Sequence, residues 1–181
     1  KINLSKNTKK ANAALAGMGS TRRVLLGDTL LDSYSLAEIK SVFAHELGHH
    51  VYRHIWKMLV IGTITGGLGF ALCHYVLSKL IVVFGYQSIH DVAAFPVICM
   101  VLGVLGFILM PIQNAISRRF ERACDRYAIE KTNDPEAFIS TMDKLAEQNL
   151  ADRTPNRLVE LLFYSHPPIS KRIEMARNIS A

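Results

Sequence analysis

Val42-Phe43-Ala44-His45-Glu46-Leu47-Gly48-His49-His50 is the stretch on which the reading of the chain turns. It contains the pattern H-E-x-x-H. On a helix, His45 and His49 sit one turn apart and project from one face. Two imidazoles so spaced can grip one Zn²⁺, with metal–nitrogen distances of about 2.0–2.1 Å. Glu46 stands beside the first imidazole, where it can reach a water on that metal and take its proton. The residues upstream predict the helix. Ser35-Leu36-Ala37-Glu38 reads as a capping box, with Ser35 at the N-cap and Glu38 at N3. Ile39, Val42, Phe43 and Leu47 then recur at helical spacing. A motif helix is expected over 35–56. A helix with surface histidines would show the same short pattern. His50 and His54 are also four apart, but no carboxylate stands there as Glu46 does. That pair points about 100° around the helix, and both are read as solvated or interfacial.

Composition narrows the class. The chain has 181 residues, half of them hydrophobic. Its mean hydropathy of +0.19 points toward a membrane. The length suits one domain over 1–181. Net charge is +6, but Arg and Lys are scattered without an aromatic-interleaved stripe, which argues against nucleic acid. Cys73, Cys99 and Cys124 form no C-x-x-C pair, and two lie in apolar runs, so no disulfide scaffold is indicated. The chain starts at Lys1 without an initiating Met or a signal peptide, as expected of a piece of a longer protein.

Residues 1–34 are expected to be a β region. Lys10 to Ala16 forms one run, Gly17-Met18-Gly19-Ser20 a turn, and Arg22 to Leu26 a second run, which together read as a hairpin. A short apolar run, Thr29 to Leu31, leads into the motif helix. Past that helix the character changes. Met58 to Ser78 carries no Asp, Glu, Lys or Arg, and Val92 to Ile112 carries none either. Each matches the ~20 residues needed to cross ~30 Å of hydrocarbon. With the short segment Lys79 to Asp91 between them, residues 57–112 read as a transmembrane helical hairpin. Two wholly apolar helices would be hard to cover in so small a soluble chain. Arg53, His54 and Lys57 flank the first span, and Arg118, Arg119 and Arg122 follow the second. The far loop has only Lys79, offset by Asp91. Positive-inside bias therefore places the motif helix and everything after residue 113 in the cytoplasm.

Residues 113–181 read as helical. The second span continues past Pro111 to end near Thr132-Asn133. Asp134-Pro135-Glu136 opens a helix, with an N-cap, a Pro at N1 and an early acid. Thr154-Pro155 repeats the cap-plus-Pro signal. Ser165-His166-Pro167-Pro168 is a rigid loop whose last Pro can start a final helix. A catalytic zinc takes three protein ligands and an open position. Glu121, after the second span, can supply the third. Asp125, one turn later on the same face, can accept the remaining N–H of a ligand imidazole. An E-x-x-x-D pair also occurs on solvated helices. Cys124 points about 100° from Glu121 and is read as a packing residue.

These motifs in this order resemble the gluzincin-type membrane metallopeptidases that contain the type I CAAX prenyl proteases and the bacterial heat-shock protease HtpX. Four stretches carry the resemblance: Asn12-Ala13-Ala14-Leu15-Ala16-Gly17, the His45–His49 motif, Glu121 through Asp125, and Ser165-His166-Pro167-Pro168. Leu26-Gly27-Asp28-Thr29-Leu30-Leu31 resembles the CAAX-protease branch more than the HtpX branch. The resemblance implies a mainly α chain with a small β-hairpin, an α+β zincin-like core and a membrane hairpin. It implies zinc on His45, His49 and Glu121, with Glu46 as general base and Asp125 behind a ligand. It implies that Asn12, Ala13 and Ala14 belong to an edge strand that binds a peptide substrate in extended form. It implies that His166 hydrogen-bonds the oxyanion. The CAAX proteases have further membrane helices around a large chamber, whereas two spans are found here. The sequence leaves the roles of Tyr164 and Arg172 open.

The expectation is therefore a multi-pass integral-membrane zinc endopeptidase with its site facing the cytoplasm. Its substrates would be CAAX-like peptides or, as for HtpX, misfolded membrane proteins. A catalytically idle module, with zinc stapling two helices, is the alternative from another class.

Overall fold

The computed structural model describes residues 2–17, 19–85, 88 and 91–180. Met18, in the expected turn, and part of the loop between the apolar helices lie outside them. The chain divides into two compact units, one of residues 1–54 and 114–181 and one of residues 55–113.

The first unit opens with two antiparallel strands, β1 (Ala13–Ala16) and β2 (Arg23–Leu26), in the register Ala13↔Leu26 and Ala16↔Arg23. The hairpin is present, with shorter strands than the apolar runs suggested. Asn12 precedes β1, and its carbonyl accepts from the Gly27 amide at 3.0 Å. Helix α1 (Asp28–Ser33) follows at once. This corrects the expectation of β structure up to residue 34. Asp28 accounts for the change. Its carboxylate accepts from the amides of Leu4, Ser5 and Thr29 and from the Ser5 hydroxyl. The acid thus stands in the first turn and ties the N-terminal segment to it. Leu30 is buried with Ala11 and Tyr34.

Helix α2 (Leu36–Val51) carries the motif. The capping box is formed: Ser35 Oγ accepts from the Glu38 amide, and Glu38 Oε2 accepts from the Ser35 amide at 2.6 Å. The helix was expected to run to residue 56 but stops at Val51. The Tyr52 amide bonds back to Gly48, and Arg53 takes a left-handed conformation with φ 55°. A residue in that region ends an α-helix.

Helix α3 (His54–Phe84) starts anew, and α4 runs from Phe95 to Thr132 with Pro111 inside it. Asp134 caps α5 (Pro135–Asn149) as the sequence predicted. Helix α6 (Arg157–Phe163) is capped by Asn156 rather than by Thr154, because the Asn156 side chain reaches the Leu158 amide at 2.9 Å. Helix α7 (Ile169–Ser180) starts directly after Pro168. The core of this unit joins Ala44, Ala128, Ile129, Phe138, Met142, Ile173 and Ala176. Residues from α2, α4, α5 and α7 thus close on one another around Phe138, which is 1% exposed.

In the second unit, Cys73, Leu77, Ala94 and Val97 pack together. Among the described residues, two helices are long and apolar enough to cross a membrane, and only 11% of each apolar window is buried. Ile64, Leu68, Phe70, Val104, Phe107 and Ile108 are among the exposed side chains. Apolar surface on that scale marks contact with lipid or protein rather than with water.

Candidate metal centre and cleft

Helix α2 presents His45, Glu46 and His49, and α4 presents Glu121 and Asp125. The two helices approach closely because residue 48 is glycine: a Cβ there would lie 3.1 Å from Cys124 Cα and 3.2 Å from its Sγ. This close fit was not read from the sequence, although a glycine inside a helix usually has a packing reason. It brings three donors together. His45 Nε2 lies 3.3 Å from Glu121 Oε2, and His49 Nε2 lies 3.4 Å from Glu121 Oε1. One ligand atom from each of His45, His49 and Glu121 falls within 4.8 Å of the others.

This donor set fits a divalent metal. Tetrahedral ligands at about 2.0–2.1 Å stand about 3.3 Å apart, the separation seen here. Glu121 is 5% exposed, yet its Oε2 has no hydrogen-bond donor. A buried carboxylate oxygen that accepts no well-formed hydrogen bond, with only imidazoles at 3.3 and 3.5 Å, is suited to a cation.

Behind the donors lies a charged support. Asp125 is fully buried and receives Arg172 Nε at 2.8 Å and Nη2 at 2.5 Å. Asp125 Oδ1 lies 2.9 Å from His45 Nδ1, off the axis of a linear hydrogen bond. Arg172, left open by the sequence, is thus the bidentate partner of Asp125. Burial opposes charge on His45, but the Asp125 and Glu121 carboxylates outweigh it and draw its pKa up to about 9. The same negative field favours a metal cation. Burial pushes His49 below the usual imidazole range, toward the neutral form that can ligate.

Glu46 lines a cleft of about 220 Å³ together with Asn12, Ala13, His45, Glu121, His166 and Arg172. Burial and the Glu121 charge raise its pKa, against the opposing pull of His45 and the Leu15 amide. A carboxylate so raised is better matched to accept a proton near neutral pH. His166 reaches the cleft from the loop before α7. Its Nε2 is 3.5 Å from Glu121 Oε2, its Nδ1 is 2.9 Å from Ser165 Oγ, and its side chain is 60% exposed. Arg118 steadies that loop, donating to the carbonyls of Glu160 at 2.9 Å and Tyr164 at 2.5 Å.

Peptidase family M48 matches residues 1–180. The chain belongs to this family. The metalloprotease YhfN of Bacillus subtilis (strain 168), itself described as uncharacterized, is 34% identical, over 97% of this chain and 42% of its own length. CAAX prenyl protease 1 of Saccharomyces cerevisiae is 30% identical, over 95% of this chain and 42% of its own. An HtpX protease homologue of Acidiphilium cryptum is 29% identical, over 83% and 58%. The crystal structure of S. mikatae Ste24p superposes with a TM-score of 0.83 at 26% identity, covering 96% of this chain and 44% of Ste24p. The chain thus spans under half the length of YhfN, the yeast protease and Ste24p. The family is one of metallopeptidases, and the fold expected from the motifs is the fold observed.

Within the M48 chain, the predicted site residues do not all converge. Ala14 is exposed and does not line the cleft. The Gly27-to-Asn12 hydrogen bond and the strand register show which way the backbone of this strand faces. In an antiparallel ladder, alternate residues turn their backbone groups to opposite sides. Residues 12, 14 and 16 therefore face β2, while Ala13 and Leu15 face the other edge. His54 departs further from expectation. Read as solvated or interfacial, it is 4% exposed and faces His49. His50 is exposed and pairs with Arg22.

Proposed function

We propose that this chain is the catalytic region of an integral-membrane zinc metalloendopeptidase, a single functional domain over 1–181 whose β region, motif helix, apolar hairpin and C-terminal helical region act together. The observation that carries the reading is the gathering of His45, His49 and Glu121 ligand atoms within 4.8 Å beside Glu46. Zinc on these three residues would supply Lewis acidity, activating a water and polarising the scissile carbonyl. Glu46 takes the proton of the attacking water and passes it to the departing amine nitrogen. His166 donates from Nε2 to the oxyanion, and the Ser165 hydroxyl at Nδ1 supports that tautomer. Asp125, held by Arg172, orients His45. The peptide lies extended along β1, with the outward backbone groups of Ala13 adding it as a further strand and Asn12 beside the cleft.

The exposed apolar helices support a multi-pass membrane location. Lys57 and the exposed Arg119 and Arg122 support a cytoplasmic site. Arg118 adds little to that count, since it is 6% exposed and bonded to α6 carbonyls. The substrate would be a CAAX-like C-terminal peptide, as the name of the yeast relative suggests. The HtpX homologue keeps misfolded membrane proteins as the second reading.

Purified protein in detergent, incubated with peptides and followed by mass spectrometry, tests the proposal. Cleavage is expected to fall about 10²–10⁴-fold in Glu46→Gln, with zinc binding retained, and to stop with a chelator. Equal cleavage by Glu46→Gln would refute the catalytic assignment. Cut positions separate end-processing from general degradation.

A further inference from the structure

The proposed function makes His49 a metal ligand, and the inference here rests on that reading. A ligand imidazole needs its second nitrogen held, because that bond fixes tautomer and ring orientation. For His45 the neighbour is Asp125. For His49 the neighbour is a second imidazole: His54 Nδ1 lies 3.3 Å from His49 Nδ1.

On a straight helix these residues could not meet. Five positions turn the side chain about 140° away from the first. The end of α2 at Val51 and the left-handed Arg53 bring His54 back. Its ring is then clamped. It lies flat on Phe120, with centroids 4.2 Å apart and planes 9° apart. Tyr52 stacks at 5.6 Å. Cys124 Sγ is 3.5 Å from the same Nδ1.

The geometry points to His54 as a positioning residue that accepts the His49 Nδ1–H and so leaves His49 Nε2 bare toward Glu121. The proton placement follows from the ligand role. A ligating Nε2 carries no proton, so the neutral His49 ring carries it on Nδ1. The facing His54 Nδ1 must then be the acceptor, with its own proton on Nε2. The Cys124 thiol is a second, weaker donor to that lone pair. A rival use of the same atoms exists, because ligand atoms of His49, His54 and Cys124 also lie within 4.8 Å of one another. That site would need a thiolate next to Asp125 and one turn from Glu121, a location already rich in negative charge.

Zinc affinity and stoichiometry, measured on apo-protein by chelator competition, decide between these. His54→Phe keeps an aromatic ring on Phe120 and removes the acceptor; its zinc affinity is expected to fall about 10–100-fold. His54→Asn loses the ring but offers Oδ1 as an acceptor, and is expected to recover most of the affinity. The opposite order, with Phe like the wild type and Asn impaired, would mean a packing role and overturn the inference. Cys124→Ala is expected to keep one zinc per chain at wild-type affinity. Loss of a zinc in that variant would make His54 a ligand instead. Undiminished affinity in His49→Ala overturns the ligand reading and the inference together. Wild-type affinity in His54→Phe overturns the inference alone.

Discussion

His45 and His49 leave the same face of α2 one turn apart, but their surroundings differ. His45 is backed by a buried ion pair, Asp125 with Arg172, whose partners are 47 residues apart in sequence. His49 is backed by a second imidazole, His54, five residues away and stacked on Phe120. One support uses charge and spans α4 and α7. The other uses aromatic packing and a local chain reversal. A buried charge cannot be left alone without a large penalty, so the first support should fail sharply. The second should fail by degrees.

The largest effect is expected at Arg172. Arg172→Leu leaves Asp125 buried without its guanidinium, with only His45 beside it, and should destabilise the fold by about 3–5 kcal/mol. Thermal unfolding in detergent reads this, and Asp125→Leu added to it should recover part of the loss, since the two effects are not additive. Asp125→Asn keeps the shape and removes the charge. Its zinc affinity should drop about 10–100-fold, a loss comparable to that of His54→Phe; a much smaller loss would mean that the two supports are not equivalent for the metal. Gly48→Ala presses a methyl against Cys124 between the two supports and should cost about 1–3 kcal/mol of stability.

A further test lies away from both histidines and serves as a control. Glu38 accepts from Ser35, Ser140 and Lys144. Burial alone would raise its pKa, but Lys144, Ser140 and Ser35 outweigh it and hold it down at about 2, against an ordinary 4.5. The unfolded chain therefore binds the extra proton first as pH falls. The Glu38 contribution is complete above about pH 4.5 and is lost on going down to about pH 2. Acid unfolding curves of wild type and Glu38→Gln should differ above that window and converge below it.

The His45 side was more legible in the sequence than the His49 side. H-E-x-x-H gives two donors by spacing alone, and Glu121 and Asp125 share a helix face. Arg172 was not legible as their partner, because a basic residue on an amphipathic last helix looks solvated until the fold buries it. His54 was misread because helical periodicity assumes a helix that continues, and Arg53 ends it. The β region was overextended for a similar reason. Thr29 to Leu31 is too short a run to show its period, and Asp28, the acid of a first turn, was the stronger signal.

Zinc-edge X-ray absorption on the purified, metal-loaded chain tests the central claim most directly. The account predicts one zinc surrounded by nitrogen and oxygen at about 2.0–2.1 Å, with the scattering of two imidazoles and no sulfur. A sulfur neighbour at about 2.3 Å would contradict it, moving the metal onto Cys124 and away from Glu46.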